Sequence, residues 1–122
     1  MAAYPLYLIN KENPEEYDLI EKSLLYWQGK SGAHQGYSCT GASSISSALG
    51  KGNEALTYLD KLFTKFLSVN TLYRESGPVI ETPLSAAQSI HDMLLQSWGG
   101  KLRIFPAVPD SWKDIAYKDF RA

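Results

Sequence analysis

The sequence has few groups for covalent or metal cross-links: one cysteine, Cys39, and two histidines, His34 and His91, in 122 residues. A lone cysteine excludes an intrachain disulfide. Cys39 stands beside Ser38 with no acidic partner at motif spacing, so it reads as a small buried residue and not as a nucleophile. No HxH, HxxxH or CxxC pattern occurs, so no metal and no cofactor is expected. An excess of one charge is missing too. Twelve basic and 13 acidic residues give a net charge of −1, which leaves no field to draw in nucleic acid or an anionic membrane. No apolar run approaches the roughly 20 residues a membrane-spanning helix needs. The opening Met1-Ala-Ala-Tyr-Pro5 lacks the basic and apolar regions of a signal peptide. The compartment stays open, because periplasmic and secreted proteins also do without disulfides, and an export signal of a longer parent would lie elsewhere.

What is present is an ordinary globular composition, 44% hydrophobic and 20% charged, with three tryptophans and eight tyrosines. Such rings build cores, and they also cover sugar rings. Asn13-Pro14-Glu15-Glu16 is a helix start, with cap, first-turn proline and acidic first turn in order. Tyr17, Ile20, Leu24 and Trp27 then recur on one face. Gly29 to Gly36 reads as a loop. Ser38 to Leu49 is rich in Gly, Ala and Ser, and a helix this lean suits close packing on neighbouring helices or the wall of a ligand space. Gly50 and Gly52 bracket a turn, and Asn53 is expected to cap a third helix with a stripe of Leu56, Leu59, Phe63, Phe66 and Leu67. Asp60, Lys61 and Lys65 are expected to face outward.

Asn70 to Ile80 is irregular, with Gly77-Pro78 as breaker. Thr82-Pro83 is expected to open a fourth helix that buries Leu84, Ala87, Ile90, Leu94 and Trp98 and stops at Gly99-Gly100. Strand signal is expected only after Gly100, in Lys101–Phe105, with a second strand near Ile115, Tyr117 and Phe120.

The block from Met93 through Leu94-Leu95-Gln96-Ser97 and Gly100-Lys-Leu-Arg-Ile-Phe-Pro-Ala-Val-Pro-Asp-Ser-Trp112 resembles a run in glycoside hydrolase family 95. There a Glu-Met-Leu-Leu-Gln-Ser helix end precedes a Leu-Pro-Ala-Leu-Pro connection and a tryptophan. Glu81-Thr82-Pro83 stands where that family has an aspartate followed by Gly-Asn. Gly36-Tyr37-Ser38 is similar to its Gly-Trp-Ser helix, Leu49 and Gly52 to its turn, and Tyr4-Pro-Leu-Tyr7 to the segment after a histidine-rich motif. The resemblance implies a mainly α fold, a fragment of an (α/α)6 toroid with one or two short β-strands at its C-terminal end. Residues 1–100 would be closing helices of the catalytic toroid, and 101–122 the connection and first strands of a following β-module.

The implied chemistry is hydrolysis of terminal α-L-fucosides, or related α-L-galactosides, with inversion. Such a reaction sets an acid and a base system roughly 6.5–9.5 Å apart with a water between them. The family's general acid and its base-side asparagines lie upstream of this stretch, so the chain alone is expected to be inactive. Its partners would be a glycan substrate and the rest of the parent polypeptide, and its uncovered helix faces would favour self-association. The one catalytic role the resemblance places here falls on Glu81, as the carboxylate that polarises a water-activating asparagine. A carboxylate just before a helix start is also held ionised by the helix terminus. Candidate sugar contacts are Tyr37, Ser38 and His34, whereas His91 shares a face with Leu84 and Ala87 and reads as packing. A non-catalytic helical module that binds carbohydrate or protein is the alternative.

Overall fold

The computed structural model describes residues 2–30, 32, 34–75, 77 and 79–121. The described chain is mainly helical, with α1 (Pro14–Gln28), α2 (Gly36–Leu49), α3 (Gly52–Lys65) and α4 (Glu81–Leu94), then a two-stranded antiparallel sheet of β1 (Leu95–Trp98) and β2 (Lys101–Ile104). No helix among the described residues is long and apolar enough to cross a membrane.

Helix α1 starts as its sequence dictates: the Asn13 side chain accepts the Glu15 N–H at 3.1 Å, with Pro14 in the first turn. Only Ile20 of its expected face is fully buried, and Trp27 is 63% exposed. Helix α2 ends at Gly50, whose φ of 82° is the left-handed conformation that glycine adopts without strain. Two residues later α3 begins and returns alongside α2, which brings Leu62 near the end of α3 against Gly36 at the start of α2.

The lean composition of α2 is explained by its second neighbour. Thr40 Oγ1 meets Ser85 Oγ at 2.7 Å and Ser44 Oγ meets Ser89 Oγ at 3.0 Å. Both pairs advance in the same direction along the two helices, so α2 and α4 run parallel. Hydroxyls this small let the backbones approach, and each buried polar atom in these pairs finds a partner. Farther along the seam the Gln96 amide donates to the carbonyls of Ser47 and Asp92, both at 2.8 Å, and accepts the Trp98 indole N–H at 3.0 Å. The apolar core lies beside the seam, where Cys39, Ala55, Leu59, Leu62, Ala86 and Met93 cluster and Leu56, Phe66, Tyr73 and Trp112 close the edges.

Four expectations are corrected. The buried face of α4 is Thr82, Ala86, Ser89, Asp92, Met93 and Leu94, while Leu84 is 63% exposed and Ala87 and Ile90 are also exposed. The small residues turn toward α2, and the large ones are displaced outward. Helix α4 stops at Leu94, so strand precedes Gly100: Trp98 pairs with Lys101 across Gly99-Gly100, whose φ values of 61° and 68° match a two-residue type I′ turn. Asn53 does not cap α3. Its side chain instead grips Asp110, donating to Oδ2 at 2.8 Å and accepting the Asp110 N–H at 2.9 Å. No strand forms at Ile115–Phe120; Tyr117 and Phe120 stack at 4.8 Å, and Phe120 in turn packs on His91 at 4.7 Å.

The N-terminal segment lies across the hairpin. Tyr7 stacks on Trp98 with 5.2 Å between centroids and 8° between planes, and Glu12 pairs with Lys101 and Arg103 of β2.

Candidate functional site

Because α2 and α4 are parallel, their N-termini open at the same end of the molecule. A solvent-open depression of about 310 Å³ lies there, walled by Gln35, Tyr37, Glu75, Val79, Glu81 and Thr82. Tyr37 enters from the first turn of α2 and is 56% exposed, and Glu81 is the first residue of α4. Glu81 is exposed and does not pack under the helix. Thr82, expected to cap α4 together with Pro83, lies inside the helix, because the cap position is Ile80. Pro83 is tolerated in the first turn, where backbone N–H groups lack helical acceptors anyway.

Between the two helix ends stands Glu75, which sequence reasoning missed. Its Oε1 accepts the Tyr37 backbone N–H at 2.9 Å and the Thr82 hydroxyl at 2.7 Å, so one carboxylate ties both helix starts together. A carboxylate is favoured there because both helix ends present unsatisfied N–H groups and the positive ends of their dipoles. Gly36 makes the approach feasible: a Cβ at that position would lie 2.3 Å from Glu75 Oε1. Glu75 is delivered by a short return of the chain after α3, in which Leu67 bridges Tyr73 and the Arg74 N–H bonds the Phe66 carbonyl at 2.7 Å. An isolated acidic residue in an irregular segment carried no periodic signal that could have announced this.

The other two candidates sit differently. Ser38 turns its hydroxyl back on the helix start, accepting the Gln35 N–H at 2.8 Å, and lines a groove between α1 and α2 in place of the depression. His34 is half-buried, with Nδ1 at 2.8 Å from the Lys61 ammonium and Nε2 buried without a hydrogen-bond partner. It is therefore held against α3, and Lys61 is not simply an outward charge. The structure brings Tyr37 and Glu81 together and leaves His34 and Ser38 out of their cavity wall.

A second carboxylate escaped notice because it is embedded in an apolar run. Asp92 is 4% exposed, and burial pushes its pKa above the ordinary carboxylate range. Its neighbours Gln88, Ser44, His91 and Tyr4 pull the other way. Cys39 is buried, as its small apolar character implies, and burial raises its pKa, so it is a poor nucleophile.

The depression offers two carboxylates and a phenol ring around one solvent-open space. That set can accept hydrogen bonds from hydroxyl groups and cover an apolar sugar face. No protein-family model matches the chain, and no curated protein matches it.

Proposed function

We propose that the chain is one segment of a glycoside hydrolase that removes terminal α-L-fucosyl, or related α-L-galactosyl, residues with inversion. In this reading residues 1–100 close an α/α toroid and 101–122 lead into a β-module. The observation that carries it is the shared mouth of α2 and α4. In a toroid of helical hairpins every second helix is parallel, and those helices open their N-termini on one face. The parallel pair α2 and α4, with α3 returning between them in sequence, has this relationship, and Glu81 and Tyr37 stand at its mouth.

Exposed Leu19, Leu25, Tyr26 and Trp27 on α1 and Leu84 on α4 give neighbouring helices of such a ring a surface to cover. Glu81 would polarise a base-side asparagine supplied from elsewhere in the polypeptide, and the general acid would also come from there. The exposed Tyr37 ring supports a second reading, a helical module that binds sugar without cleaving it.

The test is kinetic and stereochemical. The parent polypeptide should hydrolyse an aryl α-L-fucoside or α-L-galactoside, and proton NMR should show the β-anomer formed first. The 122-residue chain alone should give no turnover above background, since proximity and acid–base groups each contribute powers of ten. A parent inert on both substrates, or one that releases the α-anomer first, sinks the proposal.

A further inference from the structure

The hairpin leaves one edge open. Trp98 and Lys101 flank its two-residue turn and so form a hydrogen-bonded pair, and bonded and unbonded pairs alternate from there. The Phe105 N–H on the Leu94 carbonyl, at 2.7 Å, fits that phase. Ser97–Leu102 and Leu95–Ile104 are then the unbonded pairs. The backbone N–H and C=O groups of Leu102 and Ile104 therefore point away from β1, and among the described residues no hydrogen bond reaches them. Both residues lie at the surface, 57% and 60% exposed, with their side chains on one face of the sheet. Open backbone of this kind is a template for another strand.

The opposite face of β2 selects the kind of strand. Lys101 and Arg103 stand there and Lys11 lies close by, so that among the described residues three cations share the one carboxylate of Glu12. Burial and then the charge of Arg103 push the Lys11 ammonium below its ordinary pKa, as an excess of positive charge does. The Lys101 side chain is 62% exposed and can take a second carboxylate. A second copy of the chain fits badly. The antiparallel register that uses all the outward groups of Leu102 and Ile104 would set Arg103 opposite Arg103, and like charges directly opposite destabilise a strand pair.

We infer that the outer edge of β2 takes an extended acidic peptide as a third, antiparallel strand, with apolar residues opposite Leu102 and Ile104 and acidic residues opposite Lys101 and Arg103. Main-chain bonds to Leu102 and Ile104 hold the peptide, and the alternation of its side chains gives selectivity. The acidic residues fall in non-hydrogen-bonded pairs, where Cα atoms are about 4.5 Å apart and side chains are nearest. This edge is separate from the Glu81 depression and does not depend on the glycosidase reading.

The experiment is a titration of the 15N-labelled 122-residue chain with a blocked peptide of alternating valine and glutamate, and with its valine–lysine counterpart. Saturable shifts of the Leu102 and Ile104 amides, and slower exchange of their protons with solvent, are expected with the acidic peptide alone. Lys101→Glu should weaken binding roughly tenfold, because an opposite-charge pair becomes a like-charge pair. Ile104→Pro removes an N–H that the hairpin does not use, and proline is accommodated on edge strands; it should abolish binding with the far-ultraviolet dichroism unchanged. If the proline variant does not fold, Lys101→Glu decides alone, and unchanged affinity there overturns the inference. Equal binding of the two peptides overturns it too, as does the absence of saturable shifts or their confinement to α1 or the Glu81 depression. Concentration-dependent shifts of Leu102 and Ile104 without peptide, with a dimer in sedimentation, would give the edge to a second copy and also overturn it.

Discussion

Ser44 and Ser89 place their hydroxyl oxygens 3.0 Å apart across the α2–α4 contact, and both side chains are sealed from solvent. The Ser89 hydroxyl also lies 2.9 Å from the Thr40 carbonyl and 2.8 Å from the Ser85 carbonyl. The seam therefore depends on a side chain no larger than serine. Ser89→Leu should destabilise the chain by about 1–3 kcal/mol through overpacking. Ser89→Ala, which only removes hydrogen bonds, should cost about 1 kcal/mol. Urea denaturation midpoints check both. A leucine variant as stable as wild type would mean the helices are not in close contact here.

Among the described glycines, Gly52 makes the closest approach to backbone from another segment. A Cβ there would meet the Ala107 carbonyl oxygen at 2.5 Å and the Val108 carbonyl group at 2.6 Å. These atoms belong to the backbone and cannot swing aside. Gly52→Ala should cost about 3 kcal/mol, the upper part of the overpacking range, although alanine is ordinarily the better helix former. Thermal melts of Gly52→Ala and Gly41→Ala make the comparison, because a Cβ at Gly41 meets nothing within 4 Å. Equal effects at both sites would refute the close approach.

Asp92 sets a pH dependence whose sign is fixed by its environment. Burial raises its pKa in the folded state above the unfolded value, so within that window the folded chain keeps a proton the unfolded chain has released. Stability from this group is present below the ordinary carboxylate pKa and is lost as pH rises through the folded value. Asp92→Asn should therefore melt higher than wild type at neutral pH, and the difference should shrink in acid. Melting curves across that range decide it; a variant less stable at neutral pH would show that the ionised form is well satisfied.

Much of the fold could be read from the sequence, and the misses share a physical cause. Asn13-Pro14 and Gly50 mark helix ends through local backbone chemistry, and the structure places them as expected. The burial of α4 could not be read that way. Ranking Leu84 and Ile90 above Ser85 and Ser89 follows apolarity, whereas the contact with α2 selects for size. Leu95–Trp98 looked helical because it continues an apolar run, but Gly99-Gly100 favours a tight hairpin whose first strand must come before it. In the candidate site, Tyr37 and Glu81 were accessible through the resemblance. Glu75 was not, because its importance arises only when two helices remote in sequence present their N-termini together.

If the chain is a segment of the proposed hydrolase, kinetics in that longer polypeptide separate the two carboxylates of the depression. Glu81→Gln should lower kcat at least about a hundredfold, the low end for lost general-base assistance, with little change in KM. Glu81→Asp should retain far more activity, since it keeps the charge. Glu75→Gln leaves an amide oxygen able to accept from Tyr37 and Thr82. It should cost about 0.3–1 kcal/mol of stability, the scale of a helix-terminus charge interaction, and should act on KM through the placement of Tyr37. If Glu81→Gln and Glu81→Asp both turn over like wild type, Glu81 is a helix-end residue only.

The three tryptophans occupy three unlike environments: Trp27 is 63% exposed, Trp112 is half-buried at the edge of the core, and Trp98 is 8% exposed against Tyr7 with Arg103 over its ring. Each therefore reports on a different part of the chain. Acrylamide should quench the red edge of the emission first, through Trp27, which tracks whatever covers α1. The nearly parallel Tyr7–Trp98 pair is a rigid chromophore contact and should give a near-ultraviolet dichroism band. Loss of that band while the far-ultraviolet helical signal persists would report the N-terminal strap lifting from the hairpin before the helices melt.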